Sequence, residues 1–162
     1  MRTLFWISVG WLALASWSPA AISFPAVRSA GVPLSDMWHV TADGVPVPVY
    51  SAVTHTGGPT YYCSVDAAGP VAFVARPKFE LAKPRLRPLS AGITPVVTPA
   101  QEIALTIPRP GHYSLEARWY TAAQALLIFV NPPEQAVPAA ADPTVLYLGP
   151  GFHPLSTLAF ER

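Results

Sequence analysis

Twenty of the 162 residues are proline, and this load constrains the fold more than any other feature. Proline has no backbone N–H and a fixed φ, so it breaks helix interiors. In sheets it is confined to edges, strand starts and bulges. Most runs between the prolines are too short for a helix of ordinary length. The chain is therefore expected to be all-β, an antiparallel β-sandwich of short strands joined by turns.

The strands can be placed from alternation and turn chemistry. Asp36 to Val40 and Val45 to Tyr50 flank Ala42-Asp43-Gly44, a hairpin signal through Asp-Gly. Tyr61 to Val65 alternates, Ala67-Ala68-Gly69-Pro70 is a turn, and Val71 to Ala75 is the next strand. Leu86 and Leu89 bracket a short segment. Ile93 to Val97, Glu102 to Ile107 and Tyr113 to Trp119 are further strands, the last two broken by Pro108-Arg109-Pro110-Gly111. Ala104 and Thr106, then Tyr113, Leu115, Ala117 and Trp119, follow the period of two that puts alternate side chains on one face. Gln124 to Val130 has buried-strand length. Trp119 to Leu127 also holds helix-forming alanines, enough for one helical turn. Pro132 to Pro143 is a Pro/Ala linker, and Val145 to Leu148 is a last strand. There is no internal repeat.

The N-terminus has the pattern of an export signal. Arg2 supplies the positive end, Leu4 to Ala15 the apolar stretch, and Ser18-Pro19-Ala20 or Ala21-Ile22-Ser23 a cleavage triplet with small residues at both ends. An uncleaved anchor is the alternative, but Ser16, Ser18 and Pro19 interrupt the stretch short of the roughly 20 residues a span needs. Residues 1–23 are thus read as a signal peptide, and the mature chain as secreted, extracellular or periplasmic, with no membrane contact after cleavage. The formal net charge of +1 argues against a nucleic-acid partner held through phosphates. Cys63 is the only cysteine, so no internal disulfide can form. Its setting, Tyr-Tyr-Cys-Ser-Val, favours a buried small hydrophobe over a reactive thiol.

Residues able to do chemistry are sparse. Glycoside hydrolysis needs two carboxyl groups aimed across one bond, and no two of the nine acidic residues are adjacent. His39, His55, His112 and His153 match no metal-ligand spacing. No sequence context supports a nucleophilic pairing of Cys63 with a histidine, and neither a phosphate loop nor a Gly-x-Ser-x-Gly elbow occurs. The expectation is a chain with no catalytic residues, no metal and no cofactor. Arg76, Lys78, Lys83, Arg85 and Arg87 form one basic cluster, opposed only by Glu80. With Lys83, Arg85 and Arg87 on one strand face it reads as a charged guard on an edge strand, and less readily as a groove for an acidic glycan.

Three ordered segments carry a resemblance: Arg87-Pro88-Leu89-Ser90-Ala91-Gly92-Ile93-Thr94-Pro95, Leu126-Leu127-Ile128-Phe129-Val130-Asn131-Pro132-Pro133-Glu134, and Asp142-Pro143-Thr144-Val145-Leu146-Tyr147-Leu148-Gly149-Pro150-Gly151-Phe152-His153. In this order and spacing they resemble the N-terminal β-sandwich that precedes the right-handed parallel β-helix in some glycoside hydrolases. These are the family 49 dextranase and isopullulanase type and related proteins of the family 28 polygalacturonase type. The Trp38 to Tyr50 hairpin and the Ser64 to Val71 segment fit as well, so the resemblance covers roughly residues 32 to 153.

The resemblance implies a division of labour, with the sandwich supporting a β-helix that carries the catalytic carboxylates. Residues 24–141 would be the accessory sandwich, and residues 142–162 the start of a truncated β-helix. The partner would be a catalytic β-helix domain, missing or on a separate chain. Its contact face is expected to be apolar and uncovered, with Phe129, Leu146, Leu148 and Phe152 as candidates. Burial of all four in one core would defeat the idea. The competing expectation is a stand-alone carbohydrate-binding or adhesion module, with a polysaccharide partner meeting a row of exposed aromatics. Tyr61, Tyr62, Trp119 and Tyr120 are the candidates for that row, against the plainer reading of cross-strand packing.

Overall fold

A computed structural model describes residues 22–23, 32–53, 58–118, 124–135 and 145–146. Ten strands form: β1 (Trp38–Ala42), β2 (Val45–Val47), β3 (Tyr50–Val53), β4 (Pro59–Asp66), β5 (Val71–Pro77), β6 (Arg85–Arg87), β7 (Val96–Val97), β8 (Ile103–Ile107), β9 (Gly111–Glu116) and β10 (Leu126–Asn131). They build two five-stranded sheets, ordered β2-β1-β5-β8-β7 and β3-β4-β10-β9-β6. Apart from isolated bridges, the other regular element among the described residues is a single 3-10 turn at Leu89–Ala91.

The first hairpin shows how local sequence sets the fold. Asp43 and Gly44 take φ values of +46° and +80°, the left-handed pair that a two-residue turn matched to strand twist requires. Ala42 then faces Val45, Thr41 faces Pro46, and Val40 faces Val47. The turn is also tied sideways to β5: the Ala72 N–H donates to Asp43 Oδ1 at 2.7 Å, and the Asp43 N–H donates to the Ala72 carbonyl at 2.8 Å.

The expected single strand from Val45 to Tyr50 is instead split between the sheets. β2 ends at Val47, and β3 begins at Tyr50 in the opposite sheet. Pro48 lies between them and offers no ladder N–H, while Val47 and Val49 on either side are buried. Pro46 is tolerated within β2 because β2 is an edge strand.

The sandwich expected from the sequence is present, and among the pairs of named strands one departs from antiparallel pairing. β10 runs parallel to β4, with Leu126 opposite Tyr61 and Asn131 opposite Asp66. The two strands are far apart in sequence, and the chain between them crosses to the other sheet and back, as a parallel pair requires.

The core lies between the sheets and follows the period of two. Trp38, Val40 and Ala42 meet Phe73, Ala75, Ile103 and Ile107 from the first sheet, and Cys63, Val65, Leu115, Leu126, Ile128 and Val130 from the second. Trp38 joins the two layers directly. Its ring meets Phe79 edge-on at 5.4 Å, and its indole N–H donates to the Gln124 carbonyl, just before β10, at 3.2 Å. On β8 the buried residues are Ile103, Leu105 and Ile107. Ala104 and Thr106 therefore take the outer face.

Cys63 has no exposed surface, and burial pushes its thiol up to about 12. This is the inert, buried cysteine expected from its strand setting.

Two outcomes follow from this geometry. Gly44→Ala should lower unfolding stability by about 1 kcal/mol, measured by denaturant titration. A Cβ there meets nothing within 4 Å, so the loss reads the left-handed φ alone, and an unchanged midpoint would contradict the turn. In native protein at neutral pH, Cys63 should resist thiol reagents over a period in which denatured chain labels fully. Equal rates would contradict its burial.

Candidate functional site

Alternation that fills the core with one set of side chains presents the other set outside. On the second sheet this outer set is aromatic. Tyr50 on β3 stands opposite Tyr62 on β4. On β10, Leu127 stands beside Tyr62 and Phe129 beside Ser64, and His112 on β9 stands opposite Phe129. Four rings on four neighbouring strands thus form a continuous row. Tyr50 and Tyr62 stack with centroids 5.5 Å apart at 30°. Tyr62 meets Phe129 edge-on at 6.4 Å and 73°, and Phe129 meets His112 at 5.1 Å and 72°. Such cross-strand pairs each contribute about 0.5–1.5 kcal/mol beyond area burial. Tyr50, Tyr62 and Phe129 are half-buried and His112 is exposed.

Polar groups frame this row. At the end of β4 and β10 the Asn131 amide donates to Ser64 Oγ at 2.9 Å and to Asp66 Oδ1 at 3.2 Å. Ser23 Oγ donates to the other Asp66 oxygen at 3.2 Å. Toward β6, the Arg87 Nε–H donates to Glu116 Oε1 at 2.6 Å, with Glu116 only 7% exposed. Arg118 is held further along by Glu80, whose carboxylate it meets at 2.6 Å.

The outer face of the first sheet is different in kind. An open groove of about 890 Å³ there includes Asp36, His39, Thr41, Val74, Arg76 and Glu102 in its lining. It has no aromatic row. Its Asp36 carboxyl is held below the usual carboxylate range by a hydrogen bond from Lys78 and by that ammonium's charge. Among the described residues, no three His, Cys, Asp or Glu side chains come together as a metal site would need.

The sequence-based candidates divide unevenly. Tyr61 does not belong to a surface row: its side chain points into the core and is 6% exposed, because adjacent residues of a strand face opposite ways. Tyr62 is on the outer row. Trp119 and Tyr120 lie outside the described residues. Phe129 sits at the centre of the row and Leu146 is 58% exposed, whereas Leu148 and Phe152, like His55 and His153, lie outside the described residues. No strand forms at Val145 and Leu146. The basic cluster does not gather on one face. Arg76 is on β5 opposite His39, Lys78 is paired with Asp36, and Lys83 precedes β6 with φ +49°. Only Arg85 and Arg87 share the short strand.

Sequence reasoning missed Tyr50 and His112. Tyr50 was hidden because Val45 to Tyr50 reads as one strand until Pro48 is taken as a crossing. His112 could have been found from parity: it precedes Tyr113, the first inward residue of β9.

The sandwich has a counterpart among solved structures. Dex49A from Penicillium minioluteum matches it with a TM-score of 0.53 at 12% sequence identity, covering 64% of this chain and 30% of that chain. That neighbour is a family 49 dextranase, a β-helix glycoside hydrolase. Identity this low shows likeness of fold alone. No protein-family model matches the sequence, and no curated protein matches it.

Burial of the row has a titration consequence. Desolvation, and then the neighbouring Tyr50 phenol, push the Tyr62 hydroxyl above its ordinary value of 10. The folded state therefore holds this proton more tightly than the unfolded chain does. Stability is intact below pH about 10 and declines as pH rises through the folded value. Tyr62→Phe should flatten that alkaline decline and remove a late-titrating component from the phenolate absorbance. A decline identical to that of the parent protein would place Tyr62 in free solvent.

Proposed function

We propose that the chain is a non-catalytic accessory β-sandwich of a secreted polysaccharide-degrading glycoside hydrolase of the dextranase or polygalacturonase-like kind. The single observation that carries this is the fold likeness to Dex49A. It spans 64% of this chain but only 30% of that one, the proportion of a supporting domain to a larger enzyme. The ordered segments around Arg87, Leu126 and Asp142 support the same reading. Fold likeness leaves function to be argued from sites, and the site here is a contact surface rather than a catalytic centre.

In this reading the outer face around Phe129 and Tyr62 receives a catalytic β-helix domain, on the same or a separate chain. Rings already packed edge-on need little further ordering to dock, which lowers the entropic cost of association. The work of the module is support, and the glycosidic bond is cut elsewhere.

A second reading is favoured by the stacked Tyr50–Tyr62 pair. A stand-alone carbohydrate-binding module could lay a sugar ring on such a pair, with the Ser64, Asp66 and Asn131 groups meeting its hydroxyls.

The two readings part in a binding experiment. The mature chain is titrated with a family 49 type β-helix domain made without its own sandwich, and separately run through gels containing dextran or polygalacturonate. Support predicts a one-to-one complex, weakened at least about tenfold by Phe129→Ala, with no retardation by either glycan. Retardation that Tyr62→Ala abolishes, with no complex, would transfer the assignment to the glycan-binding reading.

A further inference from the structure

Two triplets, Ser18-Pro19-Ala20 and Ala21-Ile22-Ser23, satisfy the small-residue requirement for signal cleavage equally well. The fold distinguishes them. Ser23 forms an isolated antiparallel bridge with Asp66, the last residue of β4. The Ser23 N–H donates to the Asp66 carbonyl at 3.2 Å, and the Asp66 N–H donates to the Ser23 carbonyl at 2.9 Å. The Ser23 hydroxyl adds a third bond, to Asp66 Oδ2 at 3.2 Å. Ile22 is partly buried against the hydrophobic core.

The location gives this bridge its purpose. β3 pairs with β4 only over Pro59 to Tyr62. Beyond Tyr62 that edge of β4 loses its neighbour, while Asp66 is paired on its other side with Asn131 of β10. Ser23 occupies the vacated side at Asp66. It also joins a polar chain that runs from its hydroxyl through Asp66 to Asn131 and Ser64. Further along, the Pro33 carbonyl accepts from the Ser51 N–H at 3.0 Å, and Leu34 bridges Tyr50. Residues ahead of β1 thus guard the β3–β4 edge at two places. A sheet edge left bare is a template for unwanted strand pairing.

We infer that processing falls between Ala20 and Ala21, so that Ile22 and Ser23 are retained as an edge element of the mature sandwich. This rests on the secreted reading given above. Water adds across the Ala20–Ala21 amide under a signal peptidase, leaving a carboxylate on Ala20 and an ammonium on Ala21. Cleavage after Ser23 would instead discard all three hydrogen bonds to Asp66 and the packing of Ile22.

The test is export of the full chain from a bacterial host, followed by intact mass measurement and N-terminal sequencing. A mature N-terminus at Ala21 is expected. A terminus at Phe24 overturns the inference and leaves secretion standing, whereas an uncleaved product beginning at Met1 overturns both. A second measurement compares purified chains that begin at Ala21 and at Phe24. The shorter one should melt about 4–8 °C lower, and equal melting temperatures would overturn the structural ground for the inference.

Discussion

The pairing of β4 with β10 is the contact on which the rest of the second sheet depends. It joins Pro59–Asp66 to Leu126–Asn131 in parallel, residue against residue from Tyr61–Leu126 to Asp66–Asn131. One face of this pairing inserts Cys63, Val65, Ile128 and Val130 into the core. The other face sets Phe129 near Tyr62 and Asn131 beside Asp66. A slip of one residue would exchange the two sets, burying the polar amide and carboxylate and exposing the core residues. The same register that protects the hydrophobic layer thereby fixes the aromatic row and its polar frame.

Most of the fold was legible in the sequence because proline and alternation speak about local conformation. The Asp43-Gly44 turn, the Tyr61 and Val71 strands and the shared face of Tyr113 and Leu115 all rest on contacts within a few residues. What escaped were events decided at long range. Pro48 reads as an interruption, yet nothing local says that the chain leaves one sheet for the other there. The parallel run of β10 is likewise set by where its partner lies, and a strand's own residues do not encode that direction. Ala104 and Thr106 keep the expected period of two on one face, which is the outer one, since small residues alternate without declaring which parity is inside.

The surface reading divides along the same line. Phe129 and Tyr62 were identifiable as surface candidates from their positions, but their neighbours Tyr50 and His112 come from strands distant in sequence. Tyr61 shows the limit of naming adjacent aromatics together, because a pleated strand sends them to opposite faces. The basic residues teach a related lesson. Of five cations close in sequence, Lys78 pairs with Asp36, Arg87 pairs with Glu116, and Arg76 stands on β5 opposite His39 once the strands diverge. Charge density along a chain is therefore a poor guide to charge density on a two-layered surface.

Late arrival of β10 also shapes how the chain comes to exist. Until residues near Leu126 leave the ribosome, β4 lacks its central neighbour and Trp38 lacks the Gln124 carbonyl that its indole holds. Neither layer can be sealed from the other before that moment. Closing so long a loop also makes folding intrinsically slow. For most of its synthesis the polypeptide thus carries a first sheet whose strands already have all their partners, beside a second sheet still split in two at its centre.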